Sequence, residues 1–297
     1  MEKVFSSCPP LGVRAYSDYY DTPEPKVWGD YWFKENVLKE FGKAGWPVDD
    51  RSPKVLLHLF GEPLSDLPED TYNILWIHSH PDRITPEVLK RYQKIYCISM
   101  RFIGKVKEMG FDAEFLMIPT SMTPVFCEKT YDIVFVGNTR QNKIRKIIRD
   151  LGTSPYNVKI WGYGWKGLIP DEWLGGEYFD NAKLNELYAA SKVVLNDHHE
   201  DMQREGFVNP RVLDVLASGG FIISDDVPGM NDLLENSVAV YRNREELPEL
   251  VDLWIKDDSG REKFSEKGRG IALRQTYEAS CREIMGHIRS ISGTLSL

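Results

Sequence analysis

Short apolar runs of strand length, most of them apolar on both faces, recur along this chain with helix-patterned segments between them. KVLLHLFG, NILWIHSH, KIYCISM and FLMIP lie in the first half; YDIVFVGN, NVKIWGYG, KVVLND, GFIISDD and VAVY lie in the second. A strand that is apolar on both faces must be covered on both faces, which is the condition of a parallel sheet between helices. WFKENVLKEFGKAG, TPEVLKRYQK, NKIRKIIRDLG, NAKLNELYAAS, PRVLDVLASG and MNDLLE carry helical spacing and supply those helices. The fold class is therefore α/β. The series restarts near MTPVFCEKTYD, where Pro119 and Pro124 flank a polar connection. Two open, doubly wound, Rossmann-like domains are expected, residues 1–127 and 128–297, the second ending in charged helices from Asp252 on.

Composition narrows the function. Of 297 residues 42% are hydrophobic, enough for two cores, and the net charge of −8 speaks against a general binder of nucleic acid or anionic membrane. Cys8, Cys97, Cys127 and Cys281 are scattered and form no CxxC pair, as in a reducing compartment without structural zinc. MEKVFSSCPPLGVR lacks the apolar core of a signal peptide, and the longest apolar runs are strand-sized. A cytoplasmic protein with no membrane span is expected.

The stretch NDHHEDMQREGFVNPRVLDVLASGGFIISDD, residues 196–226, concentrates chemistry. Ligands of parallel sheets bind beyond the carboxyl ends of strands, and Asn196 to His199 follow the strand KVVLN. Asn209 suits an N-cap, Pro210 suits the first helical position, and Gly219 and Gly220 suit the end. Arg211, Asp214 and Ser218 then share one face, while Val212, Val215 and Leu216 face the sheet. A helix N-terminus with an arginine favours an anion, and an aspartate one turn on can accept from a ribose diol; the set suggests a nucleoside diphosphate. An Arg211–Asp214 salt bridge on a solvated face is the alternative. Metal is not expected: adjacent His198 and His199 point apart, and Asp197, His198, Glu200 and Asp201 follow no fixed ligand spacing.

Other strand ends add candidates. Gly137 lets backbone approach a ligand, and Arg140 sits in the loop after YDIVFV, better placed for phosphate than Lys143, Lys146 and Arg149 on the next helix. Trp161, Tyr163 and Trp165 stand among glycines, either as core or as a stacking surface for a base. In WIHSHPD, Pro81 favours an extended His80, and a histidine near Asp82 can act as a general base or close a turn. Asp30 is an N-cap candidate.

With these residues assembled, VLNDHHEDMQREGFVNPRVLDVLASGGFIISDDVPGMNDLL resembles the C-terminal domain of CgeB-like glycosyltransferases, in the group-1 nucleotide-sugar transferases of GT-B fold. The family pattern is N-D-H, D-M, G-F, N-R-x-F-D/E-x-L-A-x-G, then a strand and S-D. NILWIHSHPD, WGDYWFKENVLKEFGKAG, VFVGNTR and IWGYGW fit as well, so the likeness runs from about residue 28 to 285. It implies two Rossmann-like domains facing across a cleft, the second holding the sugar nucleotide and the first the acceptor, with no metal and no cofactor beyond the co-substrate. Gly137, Asn138, Arg140, Trp161, Gly162, Tyr163, Asn196, Asn209, Arg211 and Asp214 would bind the nucleotide-sugar; His198 and Asp201 would face the donor sugar; His80 would serve the acceptor if configuration inverts. The acceptor is a glycan, protein, small molecule or, against the acidic balance, DNA. A nucleotide-sugar epimerase or hydrolase, or an inactive binding protein, are the alternatives. Glu205 and Asp214 stand one residue further apart than the Glu-x7-Glu of many relatives, Pro210 adds a ring constraint, and only Gly12 represents the N-terminal glycine-rich loop.

Overall fold

The computed structural model describes residues 11–17, 24, 26, 28–68 and 70–291; Cys8 lies outside them. The chain divides into two compact units, residues 1–117 with 277–297, and residues 118–276. The boundary falls ten residues before the expected 127 because the intervening segment hydrogen-bonds into the second unit. The Thr120 N–H donates to the Gln275 carbonyl and the Val125 N–H to the Ser218 carbonyl. The last helix returns to the first unit instead of extending the second.

The first unit holds β1 (Val13–Ser17), β2 (Val55–Phe60), β3 (Tyr72–Ile77), β4 (Lys94–Cys97) and β5 (Glu114–Phe115), all parallel and ordered β1-β2-β3-β4-β5. Its helices are α1 (Gly29–Lys43), α2 (Pro86–Leu89), α3 (Met100–Glu108) and, after the second unit, α11 (Tyr277–Ile291). β2 is buried at every position and β3 at all but the first, as doubly covered strands must be. α11 packs on α1, with Tyr277 against Phe33 at 5.9 Å and a buried Cys281. β1 and α3 carry no expectation above, and FLMIP contributes a strand only at Phe115.

The second unit runs β6 (Tyr131–Val136), α4 (Lys146–Leu151), β7 (Val158–Trp161), β8 (Leu174–Gly176), α5 (Leu184–Ala189), β9 (Ser191–Asn196), α6 (Glu200–Glu205), α7 (Pro210–Ala217), β10 (Ile222–Asp225), α8 (Met230–Leu233), β11 (Ala239–Tyr241), α9 (Glu246–Lys256) and α10 (Asp258–Ala272). Its parallel sheet is ordered β11-β10-β9-β6-β7-β8. The chain builds from β6 outward to β8, then returns to β6's other side and builds outward to β11. β6 and β9 therefore flank a topological switch point, where side chains past the strand ends are not covered by a crossover. Ile133, Phe135, Ile160, Trp165, Val193, Leu195 and Ile223 lie in the core beneath it. α4 starts four residues later than NKIRKIIRDLG suggests, because Gln141 and Asn142 adopt left-handed φ values of 51° and 58° and form a turn.

Candidate functional site

The switch point gathers the second unit's chemistry. Past β6, the Gly137 N–H donates to the Trp161 carbonyl at 2.8 Å, and its own carbonyl accepts from Trp165 Nε1 at 2.8 Å. A Cβ on Gly137 would stand 3.3 Å from Arg211 Nη2 and from the Phe135 ring. A Cβ on Gly162, whose φ is 139°, would meet the Gly137 carbonyl at 2.3 Å. Gly162 is thus required by the close approach of two strand ends, while a side chain at Gly137 would press on Arg211 and Phe135. Asn138 Oδ1 accepts from the Tyr163 N–H at 2.9 Å, which fixes the loop after β7.

Past β9, Asp197 is buried. Arg145 grips it through Nη2 and Oδ1, with Nε 3.3 Å from Oδ2. Arg140 reaches the same place from the turn Arg140–Lys143: Nη1 donates to the His198 carbonyl at 2.7 Å, Nη2 lies 3.8 Å from Asp197 Oδ1, and Nε is buried without a partner. Arg211 arrives from α7, donating Nη1 to Asn196 Oδ1 at 2.9 Å and lying over the Phe135 ring at 5.5 Å. Arg145 lies over that ring at 5.3 Å, so one aromatic supports two guanidiniums.

Burial would raise the Asp197 carboxyl, but Arg145 and Arg140 outweigh it and hold the group below its usual value. Burial, helped by Arg145, pushes Arg140 down to about 10, still charged at neutral pH. Three guanidiniums converge on two carboxylates, Asp197 and Asp225, with Asp225 already engaged by His198. The surplus is positive and partly dehydrated, a setting that favours an anion.

α7 begins as expected, with Asn209 at the N-cap and Pro210 next, but Asn209 makes no side-chain cap. Its Nδ2 donates instead to Asn196 Oδ1 at 3.0 Å and the Asp197 carbonyl at 3.1 Å. Arg211 and Asp214 turn to different partners rather than forming the salt bridge. Asp214 Oδ1 accepts from Thr120 Oγ1 at 2.6 Å. Burial raises the Asp214 carboxyl to about 6, against the opposing pull of the Thr120 hydroxyl and Arg211.

Four candidate residues stand in settings that bear on their expected roles. His198 does not offer a free nitrogen: the buried ring has Nδ1 2.7 Å from Asp225 Oδ1 and Nε2 accepting from the Asn209 N–H at 3.0 Å. Trp161 is core rather than an exposed stacking surface, packed edge-on against Tyr131 and Phe179, while Tyr163 is half-buried. His80 is left-handed, φ 48° and ψ 53°, not extended before Pro81; it heads a 3-10 turn in the first unit. Asp30 lies inside α1, whose N-cap position is Trp28, and its Oδ1 is 3.9 Å from Nε2 of buried His78. Asp201 sits in the first turn of α6, a helix unread in the sequence, and accepts from the Met202 N–H. Arg145, Asp225 and Thr120 were missed. Arg145 shares the i, i+3 stripe with buried Ile148, and Asp225 ends an apolar strand; both signals are visible in hindsight. Among the described residues, no cluster of three or more His, Cys, Asp or Glu is arranged to hold a metal ion, and no helix is long and apolar enough to cross a membrane.

Set beside known proteins, residues 140–286, just under half of the chain, match the family model described as glycosyl transferase-like. The structure resembles sucrose-phosphate synthase from Thermosynechococcus elongatus, with TM-score 0.71 at 11% identity over 96% of this chain and 100% of that one. It resembles a glycosyltransferase involved in avilamycin A biosynthesis, with TM-score 0.64 at 15% identity over 94% and 97%. It also resembles Anabaena HepE in complex with UDP and glucose, with TM-score 0.68 at 10% identity over 95% and 100%. No curated protein matches the chain significantly. Family match and fold together define the class: a glycosyltransferase of GT-B fold.

Proposed function

We propose that the protein transfers a sugar from a nucleoside-diphosphate sugar to an acceptor hydroxyl, as a CgeB-like transferase working in the cytoplasm without a divalent metal. The observation that carries this is the convergence of Arg140, Arg211 and the uncapped start of α7 at the switch point, over a floor of Arg145 and Asp197. Arg140 and Arg211 neutralise the leaving diphosphate, the role a metal plays elsewhere. Gly137 and Gly162 let the loops after β6 and β7 pack closely, and Asn138 and Asn196 hold the loops that frame the diphosphate. Asp214 takes the ribose diol, Asn209 lines the phosphate pocket, Tyr163 adjoins the base, and Asp201 faces the donor sugar. A retaining reaction lets the leaving phosphate accept the acceptor's proton; an inverting one needs a side-chain base, and His80, in the first unit, is the candidate. UDP and glucose in the HepE complex support a UDP-type donor.

A thermal-shift panel of nucleoside-diphosphate sugars in chelator tests the reading. UDP- or GDP-sugars should raise Tm, by a stabilisation of about 2.7 kcal/mol at a hundredfold excess over Kd. Binding that vanishes in chelator and returns with manganese or magnesium would overturn metal independence; no shift with any donor would overturn the function.

A further inference from the structure

His198 ties together three elements of the second unit. It follows β9, its backbone N–H donates to Asp225 Oδ2 at 3.0 Å and its Nδ1 lies 2.7 Å from Asp225 Oδ1 at the end of β10, and its Nε2 accepts the Asn209 N–H at 3.0 Å at the start of α7. An ionised carboxylate only accepts, so the proton belongs on Nδ1; an amide N–H only donates, so Nε2 must carry the lone pair. The two neighbours therefore select one neutral tautomer from opposite sides. Asn209 is held where its Nδ2 reaches Asn196 Oδ1 and the Asp197 carbonyl, and Arg211 donates to the same Asn196 oxygen.

An asparagine at this helix position ordinarily turns its side-chain oxygen onto the first free N–H groups. Here only Nδ2 is engaged, on the β9 end, while Oδ1 is buried without a hydrogen-bond partner and does not cap the helix. We propose that His198, with Asp225 behind it, is a positioning residue: it keeps Asn209 from capping α7 and so reserves the helix start for the diphosphate. This rests on the proposed function. Released from the imidazole, Asn209 would compete with the phosphate for the same donors, and Arg211 would lose its shared anchor.

Three variants separate positioning from packing. The terminal oxygen of His198→Gln can accept where Nε2 does, whereas His198→Asn replaces only the Nδ1 side. Asp225→Asn keeps size but puts an N–H toward His198, favouring the other ring tautomer, whose Nε2–H opposes the Asn209 N–H. Hydrogen exchange at the Asn209 amide and titration with UDP and with GDP are measured for each. The expected result is protection and affinity within about threefold of wild type for His198→Gln. His198→Asn and Asp225→Asn should lose tenfold or more in both, with Tm little changed in at least one of them. Equal behaviour of His198→Gln and His198→Asn would overturn the proposal, as would lost protection with unchanged diphosphate affinity. If wild type binds neither diphosphate while Asn209 stays protected, the proposed function fails, and the diphosphate role of His198 with it.

Discussion

The two units have sheets of the same kind, parallel and with apolar strands, yet they differ in strand order. The first runs β1 to β5 without reversal among the described residues; the second reverses at β6 and β9. The charges follow the topology. Beyond the second sheet's strand ends, Asp197, Arg145 and Asp225 are buried and paired. In the first, burial leaves neutral imidazoles: His58, inside β2 with Nδ1 2.6 Å from the Tyr92 hydroxyl, and His78, just past β3, are each pushed down to about 3. A parallel sheet supplies strand ends in either case; a switch point supplies an opening where charges can meet a ligand.

The largest test of this contrast removes one charge. Arg145→Met leaves buried Asp197 only the more distant Arg140, at 3.8 Å, and should destabilise the second unit by up to about 3–5 kcal/mol in denaturant unfolding. His78→Phe in the first unit removes a neutral ring whose Nε2 has no hydrogen-bond partner and whose bond to the Leu59 backbone is lost, and should cost about 0.5–1.5 kcal/mol. Equal losses would erase the distinction.

Acid should sharpen it next. His58 and His78 have folded values depressed chiefly by burial, so the unfolded chain takes up protons first as pH falls below about 6.5. Stability is then lost progressively toward pH 3, by a few kcal/mol. Asp214 acts with the opposite sign. Its folded value is raised, so its contribution is complete below about 4 and is lost as pH rises through about 6. His78→Phe should flatten the acid limb and Asp214→Asn the neutral one, both read from Tm against pH.

Asp214→Asn has a smaller expected effect on the ligand. Nucleotide binding should weaken by about 1–3 kcal/mol, the cost of an unpaired polar partner, and more above pH 6, where the wild-type carboxyl is ionised. Unchanged affinity in the folded variant would remove Asp214 from the ribose site.

Much of this is legible in the sequence. VLLHLF, NILWI, DIVFV and KVVLN are apolar on both faces, and such runs leave parallel strands as the economical answer. The α7 signals, Pro210 and the paired glycines, marked its limits well. The rest depends on partners distant in sequence. Nothing near His198 shows that Asp225, 27 residues on, takes one side of its ring. Arg145 sits among Lys143, Lys146 and Arg149, whose helical spacing suits a solvated face, and nothing local marks it as the partner of Asp197, 52 residues away. The end of FLMIP leaves the sheet despite its apolar character, and His80 escapes the pre-proline preference for extended backbone.

The most direct measurement is UDP and GDP affinity by calorimetry, in chelator, for wild type, Arg211→Ala and His80→Ala. The account predicts binding by wild type, a loss of tenfold or more in Arg211→Ala, and an unchanged constant in His80→Ala. Loss of affinity in His80→Ala with Arg211→Ala unaffected would contradict it and move the donor to the first unit.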